Sequence, residues 1–389
     1  MSDIYNYIRE ALKKRKTQNR YRTLKPIKYS ARKEPRVTLS DGRSMLNFCS
    51  NDYLGLANHS YLIEKAEAFT REFGTGATAS RLICGDYTCH EELEEKLAEW
   101  LGHEAAILFN TGFQANTTIL STLANRNATI IADKLSHNSI IQGALLSNSQ
   151  MLRYHHNDLN HLEELLKRER DNEKQIIIVS ETVFSMDGDR CDVDGLGSLA
   201  DRYEAALYLD EAHAIGILGK QGKGLADGYD QVDFKLGTFG KAFGSMGAFM
   251  SGRVELREYL INYCPGFIFS TALAPSIVGA LSGALDLIPD MKDERENVAT
   301  NAQYLRNSLQ EIGFDTGPSE SQIIPVIIGT EEETLKLSAF LEDNEILATA
   351  IRPPTVPRKS SRIRLTLTAK HNKEHIDYLI DVFKKWKES

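Results

Sequence analysis

The chain has 389 residues, 42% of them apolar, enough for one large domain with a smaller one beside it. No apolar run approaches the length of a bilayer span, and the first 22 residues lack the apolar block and small-residue cleavage site of a secretory signal. Net charge is −8, and the five cysteines (Cys49, Cys84, Cys89, Cys191, Cys264) are scattered and odd in number, which speaks against a disulfide framework and for a reducing cytoplasm.

Taken from the start, residues 1–36 hold 12 Lys/Arg against 3 Asp/Glu, so this arm is strongly basic while the remainder is acidic. Ile4, Ile8 and Leu12 share one helical face, and the arm reads as a solvated amphipathic helix packed on the body; attraction of an anionic small molecule or of nucleic acid stays open. RVTLSDGRSMLNF reads as a hairpin with Asp41-Gly42 as its turn. Residues 60–73 and 88–101 read as helices. Then strands and helices alternate: AAILF (105–109), a helix from about 113, TIIA (129–132), a helix from about 137, QIIIVS (175–180), ALYLD (206–210), and strands near 232–239 and 246–251. These strands are apolar on both faces, which suits a mainly parallel sheet covered by helices, over residues 51–285. From 286 to 389 a long helix, IIPVIIG, a helix at 332–343, RIRLTLT and a final helix make a smaller α+β domain. Residues 1–50 form an N-terminal helix-and-hairpin segment.

Ligands of open α/β sheets sit beyond the carboxyl ends of the strands. There the chain places Gly112 and Phe113 at a helix start, His137, Glu181 and Ser185, Asp210 and His213, and Thr238 with Lys241. Each has an ordinary explanation alone: a cap, a surface lysine, a local Asp–His pair. Together they supply what pyridoxal phosphate needs: an amine for its aldehyde, a carboxylate for its ring nitrogen, N–H and hydroxyl donors for its phosphate, and a flat partner for its ring. Gly237, Gly240, Gly244 and Ser245 strip the neighbourhood of Lys241 of bulk, as a flat group lying against the backbone would require.

With these residues in view, the motifs SNDYLGL (50–56), FNTGFQAN (109–116), DKLSHNS (133–139), ETVFSMDGD (181–189), DEAHAIGILGKQGKG (210–224), TFGKAFG (238–244) and FSTALAP (269–275) resemble the α-oxoamine synthases, over nearly the whole chain. These are fold-type I pyridoxal-phosphate enzymes that condense an amino acid with an acyl thioester and lose CO2. The resemblance implies roles: Lys241 as Schiff-base lysine and base, Asp210 at the ring nitrogen, His213 and Ser185 at the ring hydroxyl, and His137 on the ring face. It puts Gly112, Phe113 and Thr238 at the phosphate, with Thr271 reaching the phosphate of a neighbouring subunit, and Asn51 and Glu181 around the pocket. Arg364 would clamp the substrate carboxylate, and Arg20 and Thr355 would line the acyl site. AIRPPTVP (350–357) and SRIRLTLTA (361–369) resemble the member that joins L-alanine to a pimeloyl thioester of coenzyme A or acyl carrier protein. The family implies a cytoplasmic homodimer with its active site at the subunit interface, acting on small molecules without nucleic acid, membrane or metal.

AHAIG (212–216) resembles glycine-using relatives instead, so a glycine-using synthase is the alternative. GTGATA (74–79) matches a dinucleotide pattern but follows a helix where a strand is needed. Cys84, Cys89 and His90 lack a second ligand pair of suitable spacing for zinc. His155, His156 and His161 read as solvated histidines on a strand-end turn. A pyridoxal-binding DNA regulator would need a helix-turn-helix domain, for which 50 residues containing a hairpin leave little room.

Overall fold

The computed structural model describes residues 3–170 and 175–389. They form two compact units, one made of Met1–Ser50, Met186–Gly188 and Asn297–Ser389, the other of Asn51–Ser185 and Asp189–Glu296.

The first unit begins with helix α1 (Asp3–Thr17), which has Asp3 in its first turn and Lys14, Arg15 and Lys16 in its last, a charge order suited to the helix dipole. None of its residues is buried, and Ile4, Ile8 and Leu12 are all exposed. The packing on the body expected of this helix is therefore absent. Its apolar face (Ile4, Tyr5, Ile8, Ala11, Leu12) is interrupted by Arg15 and bordered by Arg9, Lys13 and Lys16, whose solvation opposes burial of this face. Strands β1 (Ile27–Ser30), β2 (Arg36–Leu39) and β3 (Ser44–Asn47) pair antiparallel. The turn between β2 and β3 works through Gly42, at φ +92°, and the Asp41 carboxylate, which accepts the Arg43 N–H at 3.0 Å.

The second unit is a seven-stranded sheet, order β4-β10-β9-β8-β7-β5-β6. Its strands are β4 (Ala105–Phe109), β5 (Ala128–Asp133), β6 (Gln150–Tyr154), β7 (Gln175–Glu181), β8 (Ala206–Asp210), β9 (Phe234–Thr238) and β10 (Ala248–Gly252). Helices α2 (Ser60–Phe73) and α3 (Thr88–Leu101) precede the sheet; α4 (Gly112–Leu123), α5 (Asn138–Leu146), α6 (Leu159–Arg170), α7 (Val193–Tyr203), α8 (Val254–Tyr263), α9 (Pro265–Ile268) and α10 (Pro275–Leu287) follow their strands. Alternation explains the two-sided core: Ile130, Ile177 and Tyr208 point into one cluster with Ile119 and Leu260, while Ile131, Ile178 and Leu209 point into another with Leu162 and Leu196. All pairings are parallel except those of β10, which is antiparallel to both β4 and β9. Residues 239–247 are too few for the crossover of about a dozen residues that a parallel return requires. Strands β4, β5, β7, β8 and β9 thus end on one edge, at Phe109, Asp133, Glu181, Asp210 and Thr238.

The first unit resumes within helix α11 (Lys292–Glu311) and continues through β11 (Ile323–Gly329), α12 (Glu331–Asp343), β12 (Ile346–Leu347), β13 (Thr349–Ile351), β14 (Ser361–Thr366) and α13 (Lys373–Glu388). β11, β14 and β13 form an antiparallel sheet, and β12 extends the N-terminal sheet by pairing parallel with β3. Leu46, Phe48, Leu305, Ile324, Ile363 and Phe383 share one core there. Among the described residues no helix is long and apolar enough to cross a membrane.

Candidate active site

At the strand edge of the second unit, β7 and β8 run in register so that Glu181 and Asp210 stand side by side. Both are almost fully buried. Asp210 is fixed from two directions: Oδ1 accepts the Ala212 N–H at 2.9 Å and Oδ2 accepts the Asn116 amide at 2.7 Å. Asn116 also accepts the buried Tyr208 hydroxyl at 2.7 Å and donates to Ser139 Oγ at 3.0 Å. Glu181 accepts the His137 backbone N–H. Burial, with Asp210 beside it, holds the Glu181 carboxyl well above its ordinary range, against the pull of Lys241 and that N–H.

His137 caps helix α5 through Nδ1, which accepts the Ser139 N–H at 3.2 Å and lies 2.7 Å from Ser139 Oγ. Nδ1 is thereby an acceptor, which places the proton of a neutral ring on Nε2. Desolvation lowers its pKa, and Lys241 lowers it further against the opposing pull of Asp210, so the ring stays uncharged at neutral pH. An uncharged, accessible imidazole is a suitable flat surface for a planar ligand. Lys241 is near enough to act electrostatically on both Glu181 and His137. His213, nearly buried, has Nδ1 2.7 Å from the Tyr53 hydroxyl, which also lies 3.2 Å from Asn51 Oδ1.

Lys241 sits in the turn from β9 to β10. The Phe239 N–H donates to the Gly247 carbonyl at 3.0 Å, the Ser245 N–H to Phe239 at 3.0 Å and the Gly244 N–H to Lys241 at 2.8 Å. The surrounding glycines have a different cause from the one expected. A Cβ at Gly237 would strike the Phe249 ring at 2.2 Å, and one at Gly244 (φ +65°) would reach the Ala57 nitrogen at 2.4 Å. They answer to packing; at Gly240 a Cβ would fit, its nearest neighbour being the Ser245 carbonyl oxygen at 3.9 Å.

Thr238 ends β9 with its hydroxyl buried and without a hydrogen-bond partner among the described residues. Its methyl stands 2.5 Å from where a Cβ on Gly112 would be. Gly112 and Phe113 open α4, whose cap Thr111 accepts the Gln114 N–H at 3.0 Å, so the first-turn N–H groups face the same place. An unsatisfied hydroxyl beside a helix N-terminus and a glycine cradle is a donor set for a phosphate. Amine, carboxylate, neutral imidazole and phosphate cradle together fit pyridoxal phosphate.

Ser185 is partly exposed on the loop after β7. Thr271 is exposed; it forms a β-bridge with Ser80, and its carbonyl accepts the Asn110 amide at 2.9 Å. The remaining predicted residues lie in the first unit. Arg364 is on β14 and 8% exposed; Arg20 donates to Glu331 at 2.8 Å; Thr355 accepts Arg22 at 2.9 Å. Sequence reasoning missed Asn116 and Tyr53. The signal for Asn116 was a polar residue on the apolar side of α4, between Ala115 and Ile119. The histidine turn also differs from expectation. His155 is exposed, but His156 is enclosed by Asp133 and Asp189, because each ring nitrogen has a carboxylate in front of it.

The family Aminotransferase class I and II matches residues 43–383, and the chain belongs to it; it is a pyridoxal-phosphate enzyme of fold type I. Over 383 residues it is 47% identical to a protein of Desulfosudis oleivorans named "Putative 8-amino-7-oxononanoate synthase", covering 98% of each. A serine palmitoyltransferase from S. paucimobilis, solved with PLP and myriocin bound, superposes with TM-score 0.92 at 26% identity, covering 100% of this chain and 99% of that one. The 8-amino-7-oxononanoate synthase of Francisella tularensis gives TM-score 0.77 at 26% identity, covering 88% and 98%.

Proposed function

We propose that the chain joins L-alanine to a pimeloyl thioester, carried by coenzyme A or acyl carrier protein, giving 8-amino-7-oxononanoate, CO2 and free thiol in biotin biosynthesis. The observation that carries the reading is the gathering, at one sheet edge, of an amine, a buried carboxylate pair and an unpartnered hydroxyl beside a helix start. Alanine and the pimeloyl group are chosen because full-length relatives bear that enzyme's name.

Pyridoxal phosphate, when bound, supplies an aldehyde for amine exchange and a ring that accepts negative charge from the substrate Cα. Asp210, held by Asn116 and Ala212, would keep a proton on the ring nitrogen. Neutral His137 would lie against the ring, and His213 and Ser185 would hold the ring hydroxyl. The N–H groups of Gly112 and Phe113 and the Thr238 hydroxyl would hold the phosphate. Lys241 Nζ would attach the cofactor and take the Cα proton of alanine. The Cα–carbonyl bond would form as the carbonyl–sulfur bond breaks and the thiol leaves, the Cα–carboxylate bond would then break to release CO2, and a proton would return to Cα from Lys241. Arg364 is assigned to the substrate carboxylate as a bidentate partner, with Arg20 and Thr355 at the acyl chain. A second copy is assigned to the apolar surface beside Thr271, where Leu82, Ile83 and Phe269 are exposed.

A panel of alanine, glycine and serine against pimeloyl, acetyl, succinyl and palmitoyl thioesters, read by thiol release, tests the assignment. Alanine with pimeloyl should exceed every other pair by about tenfold or more in kcat/KM. Preference for glycine with a short acyl group, the reading that AHAIG favours, would overturn it.

A further inference from the structure

His156 is bonded at both ends of its ring. Nδ1 lies 2.9 Å from Asp133 Oδ1 and Nε2 lies 2.7 Å from Asp189 Oδ2. Asp133 is fully buried and Asp189 nearly so. The next residue doubles the contact: the Asn157 N–H donates to Asp133 Oδ2 at 2.9 Å, and its side-chain amide donates to Asp189 Oδ2 and to the Arg190 carbonyl, each at 2.9 Å. Phe184 meets the imidazole edge-on, ring centroids 4.4 Å apart. The two nitrogens face different carboxylates, so the donors diverge and make no metal site.

The two aspartates belong to the two arms that carry predicted active-site residues. Asp133 ends β5, four residues before His137. Asp189 closes the loop that carries Ser185: its carbonyl accepts the Phe184 N–H at 3.0 Å, next to the Val183–Arg190 bridge and the Cys191 N–H bond to Thr182 at 3.2 Å. Two carboxylates buried this close need a cation between them. Asp133 and Asp189 are the charged groups paired with the His156 ring; Arg190, which follows Asp189 in the chain, is the neighbouring cation, and Asn157 and Phe184 carry no charge.

We propose that His156 is a positioning residue: a doubly bonded imidazolium that fastens the loop Val183–Arg190 to the end of β5 and thereby fixes Ser185 relative to His137. Burial lowers its pKa, but the two carboxylates outweigh that and raise it to about 10. No catalytic contact is assigned to it. Only the consequence for the cofactor rests on the proposed function; the clamp itself does not.

Nitrogen-15 NMR of the unsubstituted, histidine-labelled protein at pH 8 should find both His156 nitrogens protonated; a neutral ring at that pH overturns the proposal. In His156→Gln, amide exchange at Phe184 and Cys191 should rise about tenfold while Ile177–Val179 are unchanged, because local opening, and not global unfolding, is released. The affinity for added pyridoxal phosphate should weaken with it, and His156→Arg, which restores a cation with several donors, should recover part of both. Unchanged exchange in the loop, or faster exchange with unaltered cofactor affinity, overturns it. Failure of the unsubstituted protein to take up pyridoxal phosphate would instead sink the proposed function, leaving the NMR result to judge the clamp.

Discussion

Replacing Thr238 by Val should move two quantities in opposite directions. The hydroxyl is buried without a partner among the described residues, a state that costs about 1–3 kcal/mol. Valine keeps the methyl that packs against Gly112 and removes the unsatisfied oxygen, so the cofactor-free protein should gain about 1–2 kcal/mol. A hydroxyl bonded to a charged phosphate contributes about 1.5–3 kcal/mol, so the dissociation constant for pyridoxal phosphate should rise about ten- to a hundredfold. Urea unfolding of the cofactor-free protein reads the first quantity, and absorbance titration with pyridoxal phosphate the second. Thr238→Ser should return the affinity toward that of the unsubstituted protein. A valine variant that is less stable and binds the cofactor equally well would refute the phosphate assignment.

Lys241→Ala should abolish the visible absorbance band of the bound cofactor and cut turnover by about a thousandfold or more, since amine attachment and proton removal are lost together; survival of both would remove the lysine from the site. Asn116→Leu strips a donor from Asp210 and an acceptor from Tyr208, so melting should show a loss of about 2–4 kcal/mol and titration a weaker hold on the cofactor. His371 supplies a pH dependence. Burial, with His375 nearby, lowers its pKa from 6.5 to about 3. Below pH 6.5 the unfolded chain takes up a proton that the folded protein refuses, so stability falls as pH drops from 6.5 toward 3, by roughly 2 kcal/mol at pH 5. His371→Leu should remove that part of the loss between urea midpoints at pH 7 and pH 5; an unchanged difference would contradict the assignment.

The strands buried on both faces were the most legible part. AAILF and ALYLD end where the sequence pattern ends them, because unbroken apolar runs bounded by polar residues leave little freedom of assignment. β6 was missed: as an edge strand of mostly half-buried residues, QMLRY has neither a continuous nor an alternating pattern. The direction of β10 is set by connection length and not by its residues. Within the candidate site, residue types at strand ends were what suggested pyridoxal phosphate. The partners that hold them, Asn116 and Tyr53, read locally as an indifferent helical asparagine and a core tyrosine. His156 was misread for a related reason: its two carboxylates lie 23 and 33 residues away, and only the fold brings them to it.

The reversal between β9 and β10 bears on how Lys241 works. Strand pairing grips the turn at Thr238 and Ala248, and the bonds from Phe239 and Ser245 close it from within. Its main chain has no slack to follow a departing substrate. If Lys241 holds the cofactor as proposed, the withdrawal and return of its amine would be a matter of bond rotations along a four-carbon stem, on the nanosecond scale, apart from the making and breaking of the C–N bond itself. Resetting the amine would not set the pace of turnover, and the slow event would lie elsewhere in the cycle.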